Sequence, residues 1–203
     1  MPDSTPPTVL VAYFSRAGEN YFNGGRRDLA FGNTEVLAEL ITELITADVY
    51  RIEAADAYSA DYDPTVERNL DEQHADARPA IAHPLASIDS YDIILLGNPI
   101  WNMEPPMIMR TFLEAYDLTG KTIHPFVTHA MSGLGTTVQD YTDACPGATI
   151  GPGLAVRGEL VDQARPAVEA WLARIGLRPR STHPDNRTTS THPTKENPTC
   201  ERP

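Results

Sequence analysis

Val9-Leu-Val-Ala-Tyr-Phe-Ser15, followed after sixteen residues by Gly32-Asn-Thr-Glu-Val-Leu-Ala38, decides how this chain folds. A run of aliphatic and aromatic residues that ends in a hydroxyl and leads to a Gly-Asn-Thr able to open a helix reads as strand, loop, helix. Free amides in the helix's first turn and the positive end of its dipole favour an anion there. Ser15 and Thr34 add hydroxyls, so the pair predicts a phosphate cradle. Between them, Arg16 to Phe31 is rich in Gly, Asn and charge without sustained periodicity. It reads as a long inserted loop, a length that in a compact domain signals function or disorder.

Downstream, Val36, Leu37, Leu40, Ile41, Leu44 and Ile45 recur at three and four, predicting an amphipathic helix to about Thr46. Asp48 to Glu53 reads as a second strand. Residues 54–90 are less regular: a loop holds Tyr58 and Tyr62, a polar helix is expected from Thr65 to about Ala77, and Pro79 and Pro84 break the chain after that helix. Tyr91-Asp-Ile-Ile-Leu-Leu-Gly97 is a continuous apolar run, as in a strand buried on both faces. Pro105 and Pro106 suit the first turn of a helix carrying Met109, Phe112, Leu113 and Tyr116. A fourth strand is expected at Thr122 to Thr128, a helix from Thr136 to Ala144, and a broken fifth strand at 148–150 and 154–156. The last helix runs from Glu159 to about Ile175, with Gly176 as its cap. Strands alternating with helices predict a doubly wound five-stranded parallel sheet in three α/β/α layers.

At 203 residues, one domain is expected, spanning residues 8–177 between disordered ends at 1–7 and 178–203. No apolar run approaches the ~18 residues of a membrane span. The first residues lack the basic-then-apolar order of a secretory signal, so a cytoplasmic location is expected. Asn186-Arg-Thr188 matches a glycosylation sequon that in such a place is chance. Cys145 and Cys200 argue against a disulfide framework, a zinc site and an iron–sulfur cluster, and no metal is expected. Net charge is −12, and residues 1–177, with 11 basic against 25 acidic side chains, carry −14. Such a surface repels nucleic acid and anionic membranes and suits a basic protein partner.

In a doubly wound sheet, ligands sit beyond the carboxyl ends of the strands, which makes the loops after strands one, three and four the default site. The first lacks the lysine of a nucleoside-triphosphate loop. The second offers Pro99, Ile100 and Trp101 as a flat apolar wall. The third offers Ser132, Gly133 and Gly135, whose small side chains let backbone approach a ligand edge. Gly133-Leu-Gly135 lacks the third glycine and the acidic partner of a dinucleotide fingerprint. A phosphate cradle beside an aromatic wall fits a planar heterocycle with one phosphate on a flexible tail, and flavin mononucleotide (FMN) has that shape.

Leu10-Val-Ala-Tyr-Phe-Ser-Arg16 with Gly32-Asn-Thr34, Leu96-Gly-Asn-Pro-Ile-Trp101, and Thr128 through Gly135 together resemble the three flavin-binding loops of the flavodoxin family. The resemblance is to the branch of larger members with a split phosphate loop. It covers about residues 8 to 177 and implies strand order 2-1-3-4-5 and bound FMN. Carried over, it implies that Ser15, Arg16, Ala17, Asn33 and Thr34 hold the phosphate. Pro99, Ile100, Trp101, Asn102 and Met103 would line one side of the isoalloxazine, and Thr128, His129, Ser132 and Gly133 its other edge. The second loop lacks the second Trp that many relatives carry there. His129 is expected to stabilise reduced flavin if it touches it. Tyr58 and Tyr62 are candidates to cover the site, and Arg26 and Arg27 to meet the phosphate of a nicotinamide cofactor.

The leading expectation is an electron carrier working through its flavin, with a redox partner protein and no catalytic side chain. The first alternative is an FMN-dependent reductase taking hydride from a nicotinamide cofactor and passing it to a quinone or similar small acceptor. The second is an interaction module of the same fold without cofactor. The oligomeric state is left open.

Overall fold

Along β1 (Val9–Phe14) successive side chains point to opposite faces of a parallel sheet, and all six are buried in the computed structural model, which describes residues 7–177. Val9, Val11 and Tyr13 pack with α1 (Asn33–Leu44) and α5 (Arg165–Arg174). Leu10, Ala12 and Phe14 pack on the other side with α3 (Ile108–Glu114) and α4 (Thr137–Ala144). The central strand thus divides the interior into two apolar layers, which is the three-layer arrangement expected. Each large side chain buried there, such as Phe112 or Trp171, contributes about 1.5–3 kcal/mol through lost apolar exposure.

The sheet runs β4 (Asp48–Ile52), β1, β5 (Ile93–Pro99), β6 (Thr122–His129), β7 (Thr149–Ile150), and β8 (Leu154–Arg157) also pairs with β6. Every pairing in it is parallel. Counting β7 and β8 as one interrupted strand recovers the expected order 2-1-3-4-5. At the interruption, Pro152 cannot donate to the ladder, and its carbonyl instead accepts from the Trp171 indole at 2.9 Å.

Four expectations need correction. The inserted segment is not a loop: β2 (Gly18–Phe22) and β3 (Gly25–Leu29) form a separate antiparallel hairpin. Its first strand is mostly half-buried and its second mostly exposed, with neither packed into the apolar core, so no apolar alternation marks it. The final helix is split into a 3-10 turn at Gly158–Gln163 and α5, because Pro166 suits a first helical turn and not the interior of a longer helix. The polar helix, α2, spans Tyr62–His74, starting and ending earlier than its periodicity suggests. α3 opens at Ile108, after rather than at the two prolines. The expected tail at 178–203, with its sequon, and residues 1–6 lie outside the described residues. Among the described residues no helix is long and apolar enough to cross a membrane.

Candidate functional site

Strand order reverses between β1 and β5, and the carboxyl ends of β1, β5 and β6 open there onto a cavity of about 530 Å³. Beside it, at a small adjoining space, the two halves of the opening motif meet. Ser15 Oγ accepts a hydrogen bond from the Glu35 amide at 3.1 Å, tying the end of β1 to the first turn of α1 across the whole insertion. Gly32 permits that approach, since a Cβ there would lie 2.2 Å from Ser15 Oγ and 2.6 Å from the Arg16 carbonyl oxygen. The hydroxyls of Thr34 and Thr128 share a 2.7 Å hydrogen bond, joining the same turn to the end of β6. The Asn33 and Thr34 amides have no intrahelical carbonyl to bond, whereas the Glu35 and Val36 amides already donate to the Gly32 carbonyl at 3.0 and 3.2 Å, and the helix dipole adds positive potential. Beside them a small space of about 20 Å³ is bounded by Ser15, Asn33, Thr34, Trp101 and Thr128.

The wall after β5 is braced from below. Asn98 is fully buried; its Nδ2 donates to the Pro99 carbonyl at 2.8 Å and its Oδ1 accepts from the Tyr141 hydroxyl at 2.7 Å. The Ile100 amide donates to the Thr128 carbonyl at 2.8 Å, and the backbones of Trp101 and Glu104 bond each other in both directions. Asn102 (φ 49°) and Met103 (φ 73°) turn the chain between them through the left-handed region. The Met103 carbonyl accepts from the Thr136 amide at 3.0 Å, which locks this loop to the third. Trp101 stands edge-on to Phe14 and Tyr58, at 5.5 and 5.2 Å between centroids, and keeps part of its ring on the cavity.

Of the residues singled out from sequence, Ser15, Arg16, Asn33, Thr34, Pro99, Ile100, Trp101, Asn102, Met103, Thr128, His129 and Ser132 converge on these two spaces. Ala17 and Gly133 are not among their linings. The Arg16 guanidinium is committed to backbone: it donates to the Ser59 and Ala60 carbonyls at 3.0 Å and to that of Glu19. These bonds brace the insertion through its two terminal nitrogens and leave Nε without a partner. Tyr58 packs beneath the site, with its hydroxyl donating to Glu72 at 2.6 Å, whereas Tyr62 lines the cavity. Arg26 is held by Asp63 at 2.9 Å over the Tyr62 ring, and Arg27 lies over Phe22.

Sequence reasoning missed a whole wall. Val66 and Asn69 of α2, Asn20 and Tyr21 of the hairpin, and Gly158 and Glu159 after β8 all face the same cavity. Two signals were available: Tyr62, Val66 and Asn69 recur at helical spacing, and Asn23-Gly24 is a hairpin turn pair. The hairpin closes the space by bonding both neighbours. Glu19 donates its amide to the Ala60 carbonyl at 2.8 Å, and the Asn23 amide donates to Glu159 Oε1 at 3.1 Å.

Among the described residues, six buried side-chain polar atoms have no hydrogen-bond partner, and four of them belong to residues on this cavity: Arg16 Nε, Asn69 Oδ1, His129 Nδ1 and Glu159 Oε2, the last of which is ion-paired with Arg157 Nε at 3.5 Å. Buried polar groups are nearly always satisfied, so such a concentration marks a place where a ligand completes the bonding. Burial, reinforced by Arg157 across the ladder and opposed by Glu159, holds the His129 imidazole below its ordinary pKa. Burial acts to raise the Glu159 carboxyl, but the amides of Glu159 and Asn23 together with Arg157 outweigh it and keep the group below its ordinary value.

A protein-family profile described as Flavodoxin matches residues 8–175. A protein from Bacteroides uniformis ATCC 8492 described as a flavoprotein is 31% identical, with 83% of this chain and 99% of that chain covered at a TM-score of 0.68. A second, from Bacteroides eggerthii DSM 20697, is 28% identical over 85% of this chain and 99% of its own, with a TM-score of 0.67. A flavoprotein from Lactobacillus acidophilus NCFM, solved in complex with FMN, shares the fold at 21% identity, with 77% and 97% covered and a TM-score of 0.56. Among curated proteins none matches.

Proposed function

The chain belongs to the flavodoxin family, and from that premise we propose that it binds FMN in the cavity above β1, β5 and β6 and carries electrons through it. The observation that carries this reading is the closed split cradle: Ser15 bonded to the Glu35 amide at 3.1 Å, and Thr34 bonded to Thr128 at 2.7 Å, at the positive end of a 12-residue helix. Arg16 Nε and His129 Nδ1, buried without partners beside the same space, fit a ligand that completes their bonding.

The phosphate would rest on the first turn of α1, held by Asn33, Thr34 and Ser15. Trp101, with Pro99, Ile100 and Met103, would supply the apolar side, and Thr128, His129 and Ser132 the polar edge. When bound, FMN supplies the electron-accepting ring; the protein's part is to bind it, shield it from water and set its potential. His129, neutral at pH 7 by its depressed pKa, offers that edge a hydrogen-bonding group and not a fixed charge.

Titrating flavin-free protein with FMN tests the proposal. Quenching of flavin fluorescence at one equivalent, with a shifted absorbance band, is expected; protein that stays colourless and leaves the fluorescence unchanged overturns it.

A further inference from the structure

The cavity has a wall that the FMN reading leaves unused. Tyr62, Val66 and Asn69 lie at i, i+4 and i+7 on one face of α2, and Asn20 and Tyr21 of the hairpin continue that face. The three helix residues sit on none of the loops assigned to the cofactor, whereas Asn20 and Tyr21 belong to the insertion that splits the first of those loops, and Asn20 also bounds the small space beside the cradle.

Its chemistry is specific. Asn69 is 2% exposed, lines the cavity, and its Oδ1 has no partner among the described residues. A carboxamide carries a donor and an acceptor side by side, and which of its two atoms faces outward is fixed by whatever bonds it. It therefore suits a ligand edge bearing a carbonyl, a hydroxyl or both. Around it the surface is aromatic and aliphatic: Tyr21 and Val66 are 37% and 39% exposed, and the Tyr62 ring is covered by the Arg26 guanidinium at 4.6 Å. The cations nearby are largely engaged. Arg26 is bonded to Asp63 at 2.9 Å and paired with Glu19 at 3.4 Å, and the two terminal nitrogens of Arg16 are turned onto three carbonyls, leaving its Nε without a partner. With −14 on residues 1–177, the surface as a whole disfavours an anion.

We infer that the face formed by α2 and the hairpin is a second ligand subsite, shaped for a neutral, planar aromatic compound with a carbonyl or hydroxyl on its edge, which Asn69 hydrogen-bonds. The inference rests on the proposal that FMN occupies the facing loops. A flat apolar surface with one converging polar group is how pockets orient small ligands, and Asn69 is that group.

The test uses FMN-loaded, oxidised protein titrated with 2-methyl-1,4-naphthoquinone, with a naphthoquinone sulfonate as the charged counterpart. Calorimetry reads affinity, and the Asn69 side-chain amide resonances read location. The neutral quinone should bind, shift the Asn69 amide signals, and bind at least tenfold more tightly than the sulfonate. Asn69→Leu and, on the exposed hairpin, Tyr21→Ala should each weaken the quinone at least fivefold while changing FMN affinity less than twofold. No quinone binding, unmoved Asn69 signals, equal or tighter binding of the sulfonate, or unchanged quinone affinity in both variants overturns the inference. If Asn69→Leu instead weakens FMN tenfold, the wall belongs to the cofactor: the second subsite falls and the FMN reading stands. If the wild-type protein takes up no FMN, both fall together.

Discussion

Replacing Gly32 by Ala probes the join on which the site depends. Gly32 has an ordinary backbone conformation (φ −70°), so the added methyl brings no dihedral strain and its effect is steric. Its ideal position is 2.2 Å from Ser15 Oγ and 2.6 Å from the Arg16 oxygen, well inside contact distance. The end of β1 must move away from α1, and the Ser15 to Glu35 hydrogen bond of 3.1 Å goes with it. Overpacking costs about 1–3 kcal/mol and the lost hydrogen bond about 1 kcal/mol, so the expected destabilisation is about 2–4 kcal/mol. At about 2–4 °C per kcal/mol for a chain of this size, the melting temperature should drop by roughly 4–16 °C. The same shift parts Ser15 from Thr34, so FMN affinity should fall at least ~10-fold, or about 1.4 kcal/mol. Calorimetric melting and fluorescence titration of the same samples read both. In a Ser15→Gly background the Oγ clash is gone, and Gly32→Ala should cost less, with a coupling of about 0.5–3 kcal/mol between the two sites. A variant that melts within 2 °C of wild type and binds FMN unchanged would refute the close approach and with it the cradle.

Ser15→Ala combined with Thr34→Ala leaves the helix in place but removes both hydroxyls, and FMN affinity measured by fluorescence quenching should fall by tenfold or more. Tyr141→Phe strips the donor from fully buried Asn98 Oδ1 and should cost about 1–3 kcal/mol, read as a lower melting temperature, because the acceptor is left unpaired. His124 and His129 are both held below the ordinary value of 6.5 by burial, with Arg157 adding to the effect at His129. The unfolded chain therefore takes up protons first as pH drops: stability is full above 6.5 and is lost as pH falls from there toward the folded pKa values. Melting temperatures between pH 7.5 and 5 should show this decline, and His124→Gln with His129→Gln should flatten it. Arg26→Ala breaks ion pairs whose partners are 38% and 74% exposed, so the melting temperature should stay close to wild type, while limited proteolysis within 18–29 should accelerate.

The strands of the central sheet were legible because burial on both faces leaves a plain mark. Tyr91 to Gly97 and Val9 to Phe14 are apolar runs of strand length, and such runs arise when helices cover both sides of a parallel sheet. Helix ends were less legible where proline is ambiguous. Pro166 reads equally as a tolerated residue in a long helix and as a first-turn residue, and only the 3-10 turn ahead of it, with Val161 buried and Leu160 46% exposed, separates the two. The position of the three loops was legible because each lies directly after a buried strand.

The insertion was misread for a physical reason that also explains its role. A hairpin needs apolar alternation only if one face is buried against something, and this one is stabilised instead by polar contacts at its margins: Glu19 to Ala60, Arg26 to Asp63 and Asn23 to Glu159. What did specify it was Asn23-Gly24, whose φ values of 49° and 83° are those of a tight hairpin turn. A segment anchored that way adds little to the core and can be inserted into a phosphate loop without disturbing it. Because it springs from one side of the Ser15 to Glu35 bond and returns at the other, its ends are fixed by the cradle itself, while its body reaches α2 on one side and the turn after β8 on the other. Closing the cradle and walling the cavity are therefore one structural event, and a change loosening the Ser15 join should release the hairpin's contacts with α2 as well.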